Sequence, residues 1–408
     1  MLLRKRPSKM PSIKFLNSLS ALVVACAICG TACSTLTRPA SEAAHEGGKK
    51  LRIAALPLVN MSGQPAPLKE MRQALLRGLV AEGVAVFDDE DLERFMARHR
   101  VRYMGGIDIV TAQALREEAG VDAVLITTLE QYADTRPPAI ALTSRLVATG
   151  DTPIILWMET VGMSGDDAPG LLGLGLVNDM AQLQSKAFAR LFGSFAGFLA
   201  HGTGAESGWG DRGVQPKTIY SAPFMRPGRK YTIAVAPFLN RSERNGADDL
   251  LALHVLSQLT KVGTFDVIDP GAVREKLLFF RFVMQEGLSL HQADLIHNSL
   301  QADLILTGKV MEYQDAGGTP RVEFNVLVLE RKNKKIVWTS WSANQGDDGV
   351  FFFDRGRVRT AAALAAKMTQ AVVRDMAARG AIQNGQLPEE QSSTRGPWDI
   401  ERDDSPAH

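Results

Sequence analysis

Cysteine is nearly absent from this chain of 408 residues, whose only three cysteines are Cys26, Cys29 and Cys33. The sequence after Cys33 therefore holds neither a disulfide framework nor a thiolate zinc site. An excess of one charge is also lacking, because 46 Lys and Arg residues stand against 45 Asp and Glu residues. Apolar residues are plentiful at 45%, enough for folded cores, and the length predicts two domains at roughly 100–200 residues each.

Catalytic and cofactor-binding motifs are missing as well. The sequence has no Gly-x-Ser-x-Gly elbow, no His-Glu-x-x-His pair and no phosphate loop that ends in Gly-Lys-Ser/Thr. Gly173-Leu-Gly175 lacks the third glycine of a dinucleotide fingerprint, and the 7 histidines are scattered along the chain. The sequence therefore predicts no catalytic residue, no metal ligand and no cofactor.

The start of the chain is typical of a bacterial secretory signal peptide at 1–33. Its basic first segment is followed by a run of apolar and small residues. A cysteine at the end of such a run resembles the lipobox of bacterial lipoproteins, where the signal peptidase cuts before a cysteine that becomes diacylated. Cys33 is favoured because a polar tether, residues 34–50, follows it. Cys26 is the alternative, because Val23-Val24-Ala25 before it fits the lipobox better.

The residue after Cys33 is Ser34 rather than Asp. By resemblance to the lipoprotein sorting rule, this implies the outer membrane, with the protein on its periplasmic face. Removal of the five basic residues of the signal peptide leaves 41 basic and 45 acidic residues, a net charge of −4. A chain of that charge lacks the positive electrostatic potential that attracts nucleic acids, so we expect no nucleic-acid partner.

The most informative feature is an internal repeat. The segment I-A-A-L-P-L-V-N-M-S at 53–62 reappears as I-A-V-A-P-F-L-N-R-S at 233–242, an offset of 180. Further along the chain, Gly165-Asp-Asp167 matches Gly346-Asp-Asp348 at an offset of 181. Because one alignment with a single-residue slip joins these segments, the repeat indicates two copies of one domain.

The apolar pattern and the turn signals of each copy predict the element order β-α-β-α-α-β-β-β-α. An apolar strand stops at an Asx-type turn around Asn60 or Asn240, and later helix starts are indicated by Asp269-Pro270 and by the capping-box pattern from Ser289. The predicted fold class is α/β, an α+β sandwich in which helices pack on a mixed sheet. The predicted division is a signal peptide at 1–33, a tether at 34–50, copy 1 at 51–200, a linker at 201–230, copy 2 at 231–382 and a disordered tail at 383–408.

The repeated strand, together with F-D-V-I-D-P at 265–270 and A-D-L-I-L-T-G at 302–308, resembles a domain shared by several lipoprotein families. They are the curli-secretion lipoproteins, the lipoprotein activators of penicillin-binding proteins, flagellar-associated lipoproteins and the N-terminal domain of the Tol-Pal translocation protein. The resemblance covers both copies. It implies a periplasmic domain that binds protein partners or builds envelope assemblies and does not catalyse a reaction.

Two matched loops carry the candidate partner-binding residues. The repeated Gly-Asp-Asp fits a structural turn or a shared binding loop, and the turn is favoured because Gly and Asp form turns for backbone reasons. The apolar stretch beyond it either packs on the terminal helix or forms an exposed partner surface. The candidates are Asp166, Asp167, Leu171, Leu174 and Leu176 in the first copy, and Asp347, Asp348, Phe351, Phe352 and Phe353 in the second.

We therefore expect a lipid-anchored protein that binds other envelope proteins and supports secretion, cell-wall synthesis or appendage assembly. The tether raises the local concentration of both modules at the membrane. An export-pore subunit of the curli-secretion type is one alternative, disfavoured because no pair of long alternating segments lies outside the assigned strands. An envelope hydrolase with a site between the copies is another alternative. Self-association of the tandem copies into a ring is a further hypothesis.

Overall fold

A computed structural model describes residues 50–167, 175–202, 214–282, 287–315, 319–348, 350 and 356–382. The predicted signal peptide with both candidate acylation cysteines, the tether except for residue 50, and the whole predicted tail lie outside these residues. The described elements confirm the predicted fold class, because helices pack on two mixed sheets in tandem.

The first copy shows the predicted order of elements, with one additional short strand after the first. Its elements are β1 (Arg52–Ala55), β2 (Val59–Asn60), α1 (Leu68–Ala81), β3 (Ala85–Val86), α2 (Asp89–Arg98), α3 (Ile109–Ala119), β4 (Ala123–Ala133), β5 (Ala139–Ala148), β6 (Ile155–Ser164) and α4 (Met180–His201).

The second copy repeats this order after one strand of its own. Its elements are β7 (Lys217–Ser221), β8 (Tyr231–Val235), β9 (Leu239–Asn240), α5 (Ala247–Val262), β10 (Phe265–Val267), α6 (Pro270–Phe279), α7 (Leu290–Leu300), β11 (Leu304–Gln314), β12 (Arg321–Glu330), β13 (Lys335–Gln345) and α8 (Ala361–Gly380). Among the helices of the described ranges, none has both the length and the apolar character needed to cross a membrane.

Strand pairing follows the same scheme in both sheets. The first sheet has the order β3-β1-β4-β5-β6, with β1 parallel to β3 and β4, and with antiparallel pairing from β4 to β6. The second has the order β10-β8-β11-β12-β13-β7. Parallel neighbours require crossover connections, which the helices between the short strands supply.

Local sequence sets the predicted helix starts. Asp269 Oδ1 accepts a hydrogen bond from Gly271 N at 2.8 Å, and Pro270 occupies the first turn of α6, where its missing N–H is not needed. Ser289 and Gln292 form a complete capping box at α7. These ends depend on neighbouring residues only, which is why they could be predicted.

The repeated Asn-x-Ser sequence forms the predicted Asx turn in both copies. Asn60 Oδ1 accepts a hydrogen bond from Ser62 N at 3.0 Å, and Asn240 Oδ1 accepts one from Ser242 N at 2.9 Å. The side chain replaces a backbone acceptor and ends the strand at the same place in each copy.

The structure differs from the expected linker at 201–230, because β7 lies within that segment. β7 pairs antiparallel with β13 at the edge of the second sheet. Phe224 and Met225, which follow β7, are buried. An edge strand offers unpaired backbone groups, and β7 satisfies those of β13. The Gly and Pro residues around β7 concealed this short strand in the sequence.

The two copies belong to one compact unit of stacked layers. Helices α5 and α8 lie between the sheets, because they contact β6 of the first sheet as well as strands of the second. Apolar side chains from both copies join in one core there. A separate core holds α1 and α4 on the other face of the first sheet, and a third places α6 and α7 over part of the second sheet.

Candidate interaction surface

The two sheets differ in how their equivalent faces are covered. On the first sheet, Thr128 lies opposite Thr143 and Ile126 lies opposite Arg145, so these side chains share the face toward the second copy. All four are at most 2% exposed. The second copy therefore covers this face completely at these positions.

On the equivalent face of the second sheet, α6 and α7 cover one part, which includes Ile305, and the other part is open to solvent. Here Lys309 lies opposite Asn325, Asn325 lies opposite Trp341, and Leu327 lies opposite Thr339. Trp341 is 40% exposed, Lys309 is exposed, and the other three are half-buried. These five residues are called the open face below.

Exposed apolar and aromatic groups continue along the rim of the open face. Met311 is 45% exposed next to an irregularity in β11, and Tyr220 of the edge strand β7 is 50% exposed. Tyr220 pairs with Thr339, so it belongs to the same side of the sheet. The indole Nε1 of Trp341 donates a hydrogen bond to Glu323 at 3.2 Å, which orients the ring across the strands. Aromatic groups and Met are enriched in the surfaces that proteins use to bind partners.

Buried polar side chains join the two copies on the covered face. Arg145 of β5 donates from Nε to Asp269 Oδ2 of the second copy at 2.7 Å, and both side chains are fully buried. His254 of α5 lies 3.1 Å from Glu130 of β4, and both are buried. Removing the charges of Arg145 and Asp269 from water has a high cost in free energy, so this pair specifies the docking geometry while apolar burial drives docking.

A third pair joins helices of both copies at the edge of β6. Lys261 of α5 donates to Glu159 Oε1 at 2.8 Å, and Ser194 of α4 donates to Glu159 Oε2 at 2.7 Å. Glu159 thereby binds one helix on each face of the first sheet.

The buried cluster around His254 does not present the accessible groups that a hydrolase requires. Tyr313 OH lies 3.3 Å from His254 Nε2. Burial raises the pKa of Tyr313 well above its usual range, and the neighbouring Glu130 acts in the same direction, so the phenol stays protonated. All three side chains are at most 1% exposed, which leaves a substrate no access. Within the described ranges, no group of three His, Cys, Asp or Glu residues is placed to hold a metal ion.

The two Gly-Asp-Asp sequences form the same turn. Asp167 Oδ2 accepts a hydrogen bond from Ser164 N at 2.7 Å, and Asp348 Oδ2 accepts one from Gln345 N at 2.8 Å. A Cβ at Gly165 would lie 2.0 Å from a backbone oxygen, so only glycine fits there. A structural turn accounts for these contacts.

The other predicted loop residues within the described ranges lie beyond the ends of β6 and β13. Asp166 pairs with Arg359 of the second copy at 2.7 Å, Asp347 is exposed, and Leu176 is 42% exposed. A role of these residues in partner binding stays a prediction. The remaining candidates, Leu171, Leu174, Phe351, Phe352 and Phe353, lie outside the described residues.

Sequence reasoning missed the open face, although a signal for it was present. Along β12, buried side chains alternate with half-exposed ones, as expected for a sheet with one wet face. The equivalent β5 is buried almost throughout and carries Arg145 within an apolar strand. The alternation along β12 and its absence along β5 were the sequence signal that this face is covered on the first sheet and exposed on the second.

The chain matches no known protein family and no curated protein by sequence. Among solved structures, it is similar to the PelC dodecamer from Paraburkholderia phytofirmans, with 18% identity over 41% of this chain and 99% of that chain, at a TM-score of 0.29. It is also similar to lipoprotein GNA1162 from Neisseria meningitidis, with 19% identity over 35% and 96% of the two chains, at a TM-score of 0.27. For the LpoB C-terminal domain from Escherichia coli, the identity is 15% over 28% and 82%, at a TM-score of 0.22.

Proposed function

We propose that this protein is an outer-membrane lipoprotein that faces the periplasm and binds another envelope protein through its open face, without catalysing a reaction. The observation that supports this most is the difference between the sheets. The face that the second copy covers on the first sheet is accessible to solvent around Asn325 on the second, with Trp341 beside it. A lipid anchor at Cys33 would hold this surface near the membrane and raise its encounter rate with envelope partners.

The covered face indicates what kind of partner surface fits. Its occupant within the chain is the helix pair α5 and α8, which contact each other and also contact β6 of the first sheet. We therefore propose a partner that lays a pair of packed helices on the open face. Secretion, cell-wall synthesis and appendage assembly are the tasks that such a complex would support.

Photocrosslinking in intact cells tests this proposal. The full-length chain carries a photoreactive phenylalanine analogue in place of Asn325, at the centre of the open face. We expect a covalent adduct with an envelope protein, and we expect Trp341→Glu to abolish it because a charge would be buried unpaired. The matched control places the same analogue at Gln73, on the exposed side of α1.

The identity of the adduct decides the outcome. An adduct at position 325 that is no stronger than the one at position 73 contradicts the proposal. If the adduct contains only a second copy of this chain, the open face mediates self-association and the proposal of a different envelope partner is wrong.

The same envelope fractions also test the anchor, because palmitate should label the wild type and Cys26→Ala but not Cys33→Ala. No label on the wild type would remove the anchor from the proposal.

A further inference from the structure

A cavity of about 350 Å³ lies where the loop after α2 meets α6 of the second copy. The volume falls within the range of small-ligand sites, roughly 300–1,000 Å³, whereas well-packed interiors contain few voids larger than a water molecule. Its floor consists of apolar side chains that are at most 4% exposed, namely Leu56, Leu92, Phe95, Ile107 and Leu115.

Three arginines surround the cavity. Arg100 and Arg102 come from the loop after α2, and Arg274 comes from α6. The guanidinium of Arg274 lies 4.5 Å from the centroid of the Tyr103 ring, a cation–π contact that orients it. Within the described residues, the side chains of Arg100 and Arg102 form no hydrogen bond or ion pair, so their guanidinium donors are available to a ligand.

The two carboxylates of the cavity wall are already engaged. Asp108 Oδ1 accepts a hydrogen bond from Thr111 N at 2.7 Å and caps α3. Glu275 accepts one from Ile109 N at 3.0 Å and pairs with Lys276 at 2.8 Å. Asp249 interacts electrostatically with Arg274. The charge left without an acidic partner at the cavity is therefore the positive charge of Arg100 and Arg102.

Both copies are needed to build the cavity, and glycine allows their close approach. A Cβ at Gly106 would lie 2.6 Å from Gly271 N, and a Cβ at Gly271 would lie 2.3 Å from Ile107 N. Arg100 has φ 54°, a left-handed conformation that is unusual for a residue with a side chain. The loop that carries the arginines is thus held in a specific geometry by α6.

We infer that this cavity binds a small anionic amphiphile. Its apolar body would lie on the floor, and its carboxylate or phosphate would accept hydrogen bonds from Arg102 and Arg274. Guanidinium groups suit this role because their paired donors match the oxygen atoms of carboxylates and phosphates. The inference is independent of the proposed function, because the cavity and the open face share no residue.

Photolabelling tests this site with the full-length chain in its membrane. The probe is a diazirine derivative of dodecanoate, and the labelled peptides are identified by mass spectrometry. We expect label in the segments 100–115 and 270–278, and we expect competition by dodecanoate or dodecyl phosphate. Dodecyltrimethylammonium has the same chain and the opposite charge and should not compete. Stronger competition by the phosphate would identify a phosphorylated ligand, and stronger competition by dodecanoate would identify a free fatty acid.

Substitutions test whether photolabelling depends on the arginines. The double variant Arg102→Gln and Arg274→Gln should lose label by at least about tenfold, because two charge-assisted hydrogen bonds disappear. Arg94→Gln, on the exposed side of α2 and away from the cavity, should keep it. Thr111→Phe fills the cavity without changing a charge and should also remove the label.

Three results would overturn the inference. They are label outside the two segments, equal competition by the cationic amphiphile, and undiminished label in both the arginine variant and Thr111→Phe. Protease resistance of each variant shows whether it is folded, so that a loss of label from unfolding is recognised.

Discussion

At the residue scale, His297 shows how burial sets the charge state of a side chain. It lies on α7, is 3% exposed, and places Nδ1 at 3.0 Å from the carbonyl oxygen of Ala302. Because a carbonyl only accepts, Nδ1 carries the hydrogen. Burial lowers the pKa of His297, and the hydrogen bond to Ala302 opposes this only in part.

We predict that His297 makes the folded protein less stable as the pH falls below about 6.5, the usual pKa of histidine. The unfolded chain takes up the proton near that pH, whereas the folded chain takes it up only at lower pH, so protonation favours unfolding. The contribution is fully present above about 6.5 and is lost as the pH falls through the lowered pKa.

His297→Asn keeps an N–H donor and cannot ionise at these pH values. Its free energy of unfolding should therefore vary less between neutral and mildly acidic pH than that of the wild type, as measured by urea titration at each pH. His291→Asn, on the exposed side of the same helix, is the matched control and should keep the wild-type slope. An unchanged slope in His297→Asn contradicts the prediction.

At the element scale, the start of α6 depends on one carboxylate and one glycine. Asp269 Oδ1 accepts hydrogen bonds from Gly271 N and from Ile107 N, each at 2.8 Å. Its other oxygen binds Arg145. One side chain thus caps the helix and ties it to a loop and a strand of the other copy.

We predict that Gly271→Ala destabilises the protein by about 1–3 kcal/mol, the usual cost of overpacking a tight contact. The added methyl group would have to displace the backbone of Ile107. Gly193→Ala in α4 is the matched control, because its Cβ would meet no atom within 4 Å. It should stabilise the helix by roughly 0.5–1 kcal/mol. Thermal melts that show equal effects for the two variants would refute this account.

At the scale of the whole molecule, the copies form a stack of four layers. These layers are α1 with α4, the first sheet, α5 with α8, and the second sheet, and α6 with α7 cover part of the outer face of the second sheet. α5 buries residues on all sides, whereas its counterpart α1 buries only Met71, Leu75 and Leu79. The stack therefore ends in the polar side of α1 at one end, and in the open face next to α6 and α7 at the other. Terminal units of stacked repeats are commonly polar on the outside.

Because the copies share a core, we predict that they unfold together. Arg145→Leu in the first copy leaves Asp269 of the second copy buried without its partner, which costs about 3–5 kcal/mol. Hydrogen exchange under increasing denaturant should show β4–β6 and β11–β13 losing protection at the same concentration. Arg145→Leu should shift both transitions equally, while the exposed Arg94→Leu should shift neither by more than about 1 kcal/mol. Separate transitions would show that the copies are independent domains.

The duplication, the element order, the Asx turns and the caps of α6 and α7 could be derived from the sequence by itself. The turns and caps depend on residues a few positions apart, such as Asn240 with Ser242 or Ser289 with Gln292, and the duplication is visible as two similar stretches of sequence. The absence of catalytic motifs was also a property of the sequence. These features are local, so the amino-acid pattern determines them without knowledge of what packs where.

Only the tertiary structure decided which sheet face is covered, where β7 pairs and where the cavity opens. Arg145 and Asp269 are 124 residues apart, and Ile107 and Asp269 are 162 apart, so neither contact leaves a local pattern. An apolar strand is compatible with burial by its own helices or by those of the other copy. The choice between them depends on the summed burial of both copies, which no single segment encodes.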